Sequence, residues 1–219
     1  MKTSLLYRHW RRLLDSRSGM AAVEFALTLP FVVGTTMAGV ELTNFTVSKM
    51  RVSQLALHVA DNASRIGTGS LLSAKRISEA QINDLLTGAG LQGGNLNLYT
   101  NGRVILSSLE PDPATAGKYR IRWQRCRGAK SYVSATPQGT NTLSSLSVNG
   151  EPITAPTGGA VMVVQIAYDY APLIGRGWIN LPAINEWAAM TVRDPRDMAG
   201  PAGGVGVYNS ENVTPSSCT

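Results

Sequence analysis

Apolar and polar positions follow three different rhythms along this chain. From Met20 to Val40 the only charged residue is Glu24. A helix over that run rises about 31 Å, enough to cross a bilayer core. Beyond it the apolar positions thin to a single stripe. Phe45, Val52, Val59 and Ile66 recur at a spacing of seven, with Leu42 and Leu55 between them, which is helical periodicity. Pro30, Gly34 and Gly39 all lie in the apolar part, where helix breakers are better tolerated. The pattern predicts one helix over 20–66, roughly 70 Å long. It spans a membrane over about 20–40 and lays its outer half on a globular domain or a partner helix. The Gly-Thr-Gly-Ser run at 67–70 ends it.

In the body, 67–219, the rhythm changes. ISEAQINDLLTGAG (77–90) reads as a short helix, with Ser78 and Gln81 in a capping-box pattern and Gly88 or Gly90 as the stop. Asn101–Gly102 stands between two alternating runs and predicts a hairpin. KYRIRWQRC (118–126) predicts a half-buried strand, with Tyr119, Ile121 and Trp123 on one face and Arg120, Arg122 and Gln124 on the other. VMVVQIAYDYAP (161–172) is apolar enough for a central strand, and WAAMTVRDPR (187–196) for a last one. The polar stretch 133–160, with Asn149–Gly150, reads as an exposed hairpin or loop, and 199–219 as a flexible tail unless Cys218 anchors it. The fold class expected is α+β and pilin-like: a long N-terminal helix, a short second helix and a mainly antiparallel sheet of four to six strands.

Charge sharpens the N-terminus. The formal net charge is +6, yet residues 1–19 hold five cations against one acid, so the rest of the chain is nearly neutral. A basic segment ahead of an apolar run predicts an N-inside orientation, with the body on the far side of the membrane. An ordinary cleaved secretory signal, cut near TTMAG (35–39), is the competing reading. The charge inside the apolar run and the helical pattern that continues past it count against that reading. In an exported protein Cys126 and Cys218 would most simply form one disulfide, two unrelated free thiols being the alternative.

Candidate chemistry in the body is sparse. The two histidines are His9, in the basic segment, and His58, read as a helix-surface residue. No Cys/His set has zinc spacing, and no calcium-loop run is present, although Asp194 and Asp197 form a conceivable oxygen pair. GPAGGVGV (200–207) lacks the following helix and the lysine of a phosphate loop. Arg120, Arg122, Arg125 and Arg127 form a basic strand edge, read as a solvated face ahead of a nucleic-acid contact. No catalytic residue, metal or cofactor is expected, and neither a nucleic-acid nor a small-molecule ligand.

The segment around Glu24 resembles the type IV pilin signal, a short basic leader ending in Gly, then an apolar helix with Glu at its fifth position. Here Gly19 ends the leader, Met20 becomes residue one, and Glu24 falls fifth. RSGMAAVEFALTLPFVVGTTMAGVEL is similar, more specifically, to the N-terminus of TadE-like proteins, the minor pilins or pseudopilins of tight-adherence (Flp) pili, with Gly39, Val40 and Glu41 matching the element at the helix exit. RWQRCRG (122–128) and VRDPR (192–196) are compatible with the family, and methionine at 20 departs from its usual small residue. The absence of a D-x-S-x-S motif argues against the larger related proteins with a von Willebrand-type domain.

The resemblance implies a structural protein, not an enzyme. A prepilin peptidase cuts between Gly19 and Met20, and Glu24 pairs with the new amine and sets register in a filament. The implied partners are that peptidase, other pilins, inner-membrane assembly proteins and the lipid bilayer. The implied location is the bacterial inner membrane, single-pass, with a cytoplasmic N-terminus, a periplasmic body and possible passage into an extracellular pilus. The implied division is leader 1–19, helix 20–66 and domain 67–219. Competing readings are an unprocessed membrane-anchored adaptor of the secretion machinery and, less favoured, an adhesin or enzyme with a site in the loops.

Overall fold

The computed structural model describes residues 18–70, 73–174 and 181–218. Residues 1–17, with His9 and most of the leader, lie outside that range. The chain divides into two compact units. Of the described residues, 18–44 and 172–174 belong to the first, and the rest to the second.

Helix α1 runs Ser18–Arg65 and passes from the first unit into the second. It is followed by α2 (Glu79–Gly93), a 3-10 turn (Gly94–Leu96), the single turn α3 (Leu98–Asn101), and strands β1 (Gly102–Pro111), β2 (Tyr119–Arg127), β3 (Leu146–Val148), β4 (Glu151–Ile153), β5 (Val161–Tyr168) and β6 (Ile184–Thr191). The main sheet has the order β2-β1-β5-β6, antiparallel throughout, and β3–β4 form a separate hairpin. The fold is α+β in a pilin-like arrangement, as the patterning predicts.

In the second unit the sheet lies between two layers. One face packs on α1 and α2 through Val104, Leu106, Trp123, Met162, Val164 and Ile166. The other packs on the β3–β4 hairpin through Leu109, Ile121, Val161 and Val163. All eight residues of β5 are buried, as a central strand covered on both faces requires. Val52, Leu55 and Val59 of the α1 stripe are buried, and Ala56, Ala60 and Ala63 complete it with side chains small enough for close approach. Phe45 is half-buried and meets Tyr170 edge to face at 5.3 Å. Leu42 is exposed and does not belong to the stripe. At about 100° per residue it points some 60° to one side of Phe45, whereas the seven-residue stripe drifts the other way.

Three local expectations are corrected. First, α2 passes through Gly88 and Gly90 and stops at Gly93. Ser78 and Gln81 do form the capping box. Gly90 serves packing, since a Cβ there would stand 2.5 Å from the Tyr99 ring. The Tyr99 hydroxyl donates to the Leu86 carbonyl, and burial pushes its pKa up to about 12.

Second, Asn101–Gly102 is not a hairpin turn. The preceding residues are helical, and Gly102 opens β1 in extended backbone. Glycine is needed there because a Cβ would lie 2.8 Å from the Ala167 carbonyl oxygen and 2.9 Å from that of Leu98. The left-handed residue of this stretch is Asn97 (φ 48°).

Third, the alternation of β2 breaks. Ser108 pairs with Trp123 but Leu109 with Ile121, so Arg122 is an extra residue in a β-bulge. The bulge puts Ile121 on the hairpin face and Trp123 on the helix face, with Arg125 beside it.

The arginines of β2 are therefore not a solvated edge. Arg125 is buried and makes a two-pronged pair with Glu79 in the first turn of α2, its Nε donating at 2.8 Å. Arg122 and Arg120 face Glu110 at 3.4 and 3.9 Å. Burial raises the Glu110 pKa, with the Ser108 hydroxyl and Arg122 opposing that rise. Arg127 donates to the Asn83 carbonyl and to Thr87, over the Tyr99 ring. Replacing Arg125 with methionine strands the Glu79 carboxylate in the core. Urea unfolding of the folded protein should show a loss of about 3 kcal/mol, largely recovered when Glu79→Gln is added.

The C-terminal tail is fastened to this frame. Cys126 and Cys218 are disulfide-bonded. The Cys126 N–H donates to the Ser216 carbonyl at 2.7 Å, and Tyr208 bridges to Ser78. VRDPR closes α1: Arg196 donates to the carbonyls of Ala63 and Ile66 at 3.1 and 2.9 Å, satisfying acceptors that a helix end leaves open. Burial pulls its guanidinium down to about 10. Asp194 pairs with Lys75 at 2.7 Å, which holds its carboxyl below the usual range.

Candidate functional site

The residues singled out around Glu24 sit at the head of α1. Gly19 and Met20 lie in its first turn, and Glu24 is four residues on from Met20, on the same face and about 6 Å further along the axis. That separation lets a glutamate side chain reach an amine placed on residue 20. A Cβ added at Gly19 would meet nothing within 4 Å, and the same holds for Gly34 and Gly39. Glycine costs a helix about 1 kcal/mol relative to alanine. Packing among the described residues gives no reason for any of the three.

The surface of this part of the helix is apolar. Phe25, Leu27, Phe31, Val32 and Val40 are all more than half exposed. The threonine hydroxyls on this stretch are turned inward onto the helix's own backbone. Thr28 donates to the Phe25 carbonyl at 3.1 Å, Thr35 to Phe31 at 2.9 Å, Thr36 to Val32 at 2.7 Å and Thr43 to Gly39 at 2.8 Å. A helix in lipid must satisfy its polar groups internally, and threonine back-bonding does so. By length and composition α1 can cross a membrane.

Glu41 is where sequence reasoning fell short. It appeared only as part of a family-like Gly-Val-Glu. In the structure it is 1% exposed, and its carboxylate accepts from the backbone N–H groups of Leu173 (3.1 Å) and Ile174 (3.0 Å). All three residues belong to the first unit. The available signal was a second carboxylate one residue past the apolar run. Its partners, about 130 positions away, are main-chain donors that no side-chain pattern marks.

The other candidates are placed plainly. His58 is exposed on α1. Asp194 is held by Lys75, and Asp197 accepts from the Tyr208 hydroxyl and from the N–H groups of Ala199 and Gly200. The glycine run 200–207 folds back on itself, Gly200 against Gly206, beside Arg122. Among the described residues no three of His, Cys, Asp and Glu stand close enough to hold a metal ion. Comparison with protein-family models, with curated proteins and with solved structures returns no match.

Proposed function

We propose that this chain is a minor pilin or pseudopilin of a tight-adherence (Flp) pilus, cut by a prepilin peptidase between Gly19 and Met20, and that it takes part in pilus biogenesis and surface attachment as a structural protein. In this reading it is made as a single-pass protein of the bacterial inner membrane, with its basic leader in the cytoplasm and its disulfide-bonded domain in the periplasm. Its partners are the peptidase, other pilins, the assembly proteins of the inner membrane and the bilayer.

The observation that carries the reading is the glycine at 19. It heads an exposed apolar helix in which no atom of the described residues requires it, one residue before the position four residues from Glu24. A peptidase that must approach the backbone does require it. Removing the leader takes away its charge and leaves a cationic amine, of reference pKa about 7.7–8.0, within reach of Glu24.

Mass spectrometry of the mature chain tests this directly. A start at Met20 in wild type, with an intact N-terminus in Gly19→Leu, is the expected result. A mature chain that keeps Met1 belongs to an unprocessed anchored adaptor, and one that begins near residue 39 to an ordinary secreted protein. Either would overturn the reading.

A further inference from the structure

Strands β5 and β6 are antiparallel neighbours, which a tight turn of two residues can connect. The chain instead takes residues 169–183 to go from one to the other. Connections of that length in a compact domain tend to be functional. Of its described residues, 172–174 belong with the N-terminal part of α1, whereas β5 and β6 do not. The fastening is Glu41. Its carboxylate takes the N–H groups of Leu173 and Ile174, and Pro172 before them has no N–H to satisfy.

The place and the composition of this clamp are specific. Glu41 directly follows the apolar run 20–40, so in a spanning helix it marks the level at which lipid gives way to water. A carboxylate there would ordinarily be hydrated, yet this one is buried, and it removes two main-chain donors from the need for water. Backbone entering a water-poor zone requires that. Leu173, held by the clamp, is 65% exposed, and Met37, Val40 and Leu42 are exposed on the neighbouring turns of α1. Residues 171–174, Ala-Pro-Leu-Ile, carry no charge and are apolar, a composition suited to the lipid side of a membrane interface.

We propose that residues 172–174 of the β5–β6 crossover are a lipid-seated foot: Glu41 pins them to α1 at the far surface of the bilayer, and Leu173 enters the lipid interface. The proposal rests on the reading of α1 as membrane-spanning. Apolar side chains seated this way lie about 5–10 Å into the headgroup and acyl boundary.

Full-length protein in phosphatidylcholine vesicles tests it. A fluorophore is attached at Leu173→Cys, with separate labels at Val32→Cys for the lipid core and Val133→Cys for water. Spin-labelled lipids quench at shallow or deep positions. The label at 173 should lose emission to the shallow quencher, the label at 32 to the deep one, and the label at 133 to neither. In Glu41→Ala the label at 173 should escape quenching while the label at 32 does not. If 173 behaves like 133 while 32 is quenched, the foot is wrong and the spanning helix stands. If 173 becomes protected only when a second pilin is added, its partner is protein and the lipid proposal is overturned. Persistent quenching in Glu41→Ala overturns the clamp. If 32 also escapes both quenchers, the spanning reading fails and takes the foot with it.

Discussion

Replacing Cys126 and Cys218 with serine lowers the unfolding free energy of the domain by about 4–5 kcal/mol, the value expected when a cross-link over 92 residues no longer restricts the unfolded chain. The closed loop starts at the end of β2 and contains all of β3 to β6, so the constraint ties β5 and β6 of the main sheet to the edge strand β2. Local losses add to it. With the bond gone, the Cys126 N–H keeps its Ser216 acceptor only as long as the tail stays docked, and the Ser216 hydroxyl bonds to Asn83 of α2 depend on the same docking. Urea unfolding in detergent, read through the buried Trp123, measures the change against wild type. The single variant Cys218→Ser should fall nearly as far, because one cysteine closes no loop. A loss below about 1 kcal/mol would mean that the tail is held by its hydrogen bonds and that the cross-link contributes little. Since a domain's net stability is only about 5–15 kcal/mol, a loss of that size leaves the reduced domain marginally stable.

How much of this was legible in the sequence depends on the range of the interaction. The apolar run, the stripe Val52–Leu55–Val59 and the capping box Ser78–Gln81 are local patterns, and the structure follows them closely. Val161–Tyr168 was legible as a central strand because unbroken apolarity means burial on both faces. The errors fall where one distant contact overrides a local rule. Gly90 looks like a helix stop until Tyr99 is packed on it, and Gly102 looks like a turn until the Leu98 and Ala167 carbonyls close around it. Arg122 reads as one more step in an alternation, and only pairing with β1 reveals that the register skips it. That skip turns Arg125 toward Glu79, and a row of arginines that suggests a solvated face becomes part of the core's polar frame. The head of α1 is the opposite case. Gly19, Met20 and Glu24 stand out by spacing alone, and the fold adds that no contact among the described residues explains the glycine. Glu41 lies between the two: its position was legible, but its role was not, because its partners are backbone groups across a long gap in sequence.

On the proposed reading, Glu24→Gln abolishes entry into the filament and leaves processing intact. The peptidase acts on the Gly19–Met20 bond, and the amide at 24 keeps the shape and helix propensity of the carboxylate, so the mature chain still begins at Met20 and stays in the membrane. What is lost is the charge. A carboxylate and an amine about 4 Å apart attract by about 4 kcal/mol at an effective dielectric constant of 20, roughly a thousandfold in an equilibrium. Within one helix, Met20 and Glu24 are close enough to pair, and such a pair would steady the subunit in the bilayer without fixing its height against a neighbour. Across two subunits the same pair fixes the axial register, because an amine left unpaired in lipid is costly and only one offset avoids it. Comparing the membrane and sheared-filament fractions of the variant separates the two. Normal membrane levels with no subunit in the filament fraction identify pairing between subunits. Reduced membrane levels, with the surviving protein assembling normally, identify pairing within the helix. Glu24→Asp, which keeps the charge on a shorter arm, should recover part of the assembly in the first case. Filaments containing wild-type amounts of correctly processed Glu24→Gln protein would remove Glu24 from assembly altogether.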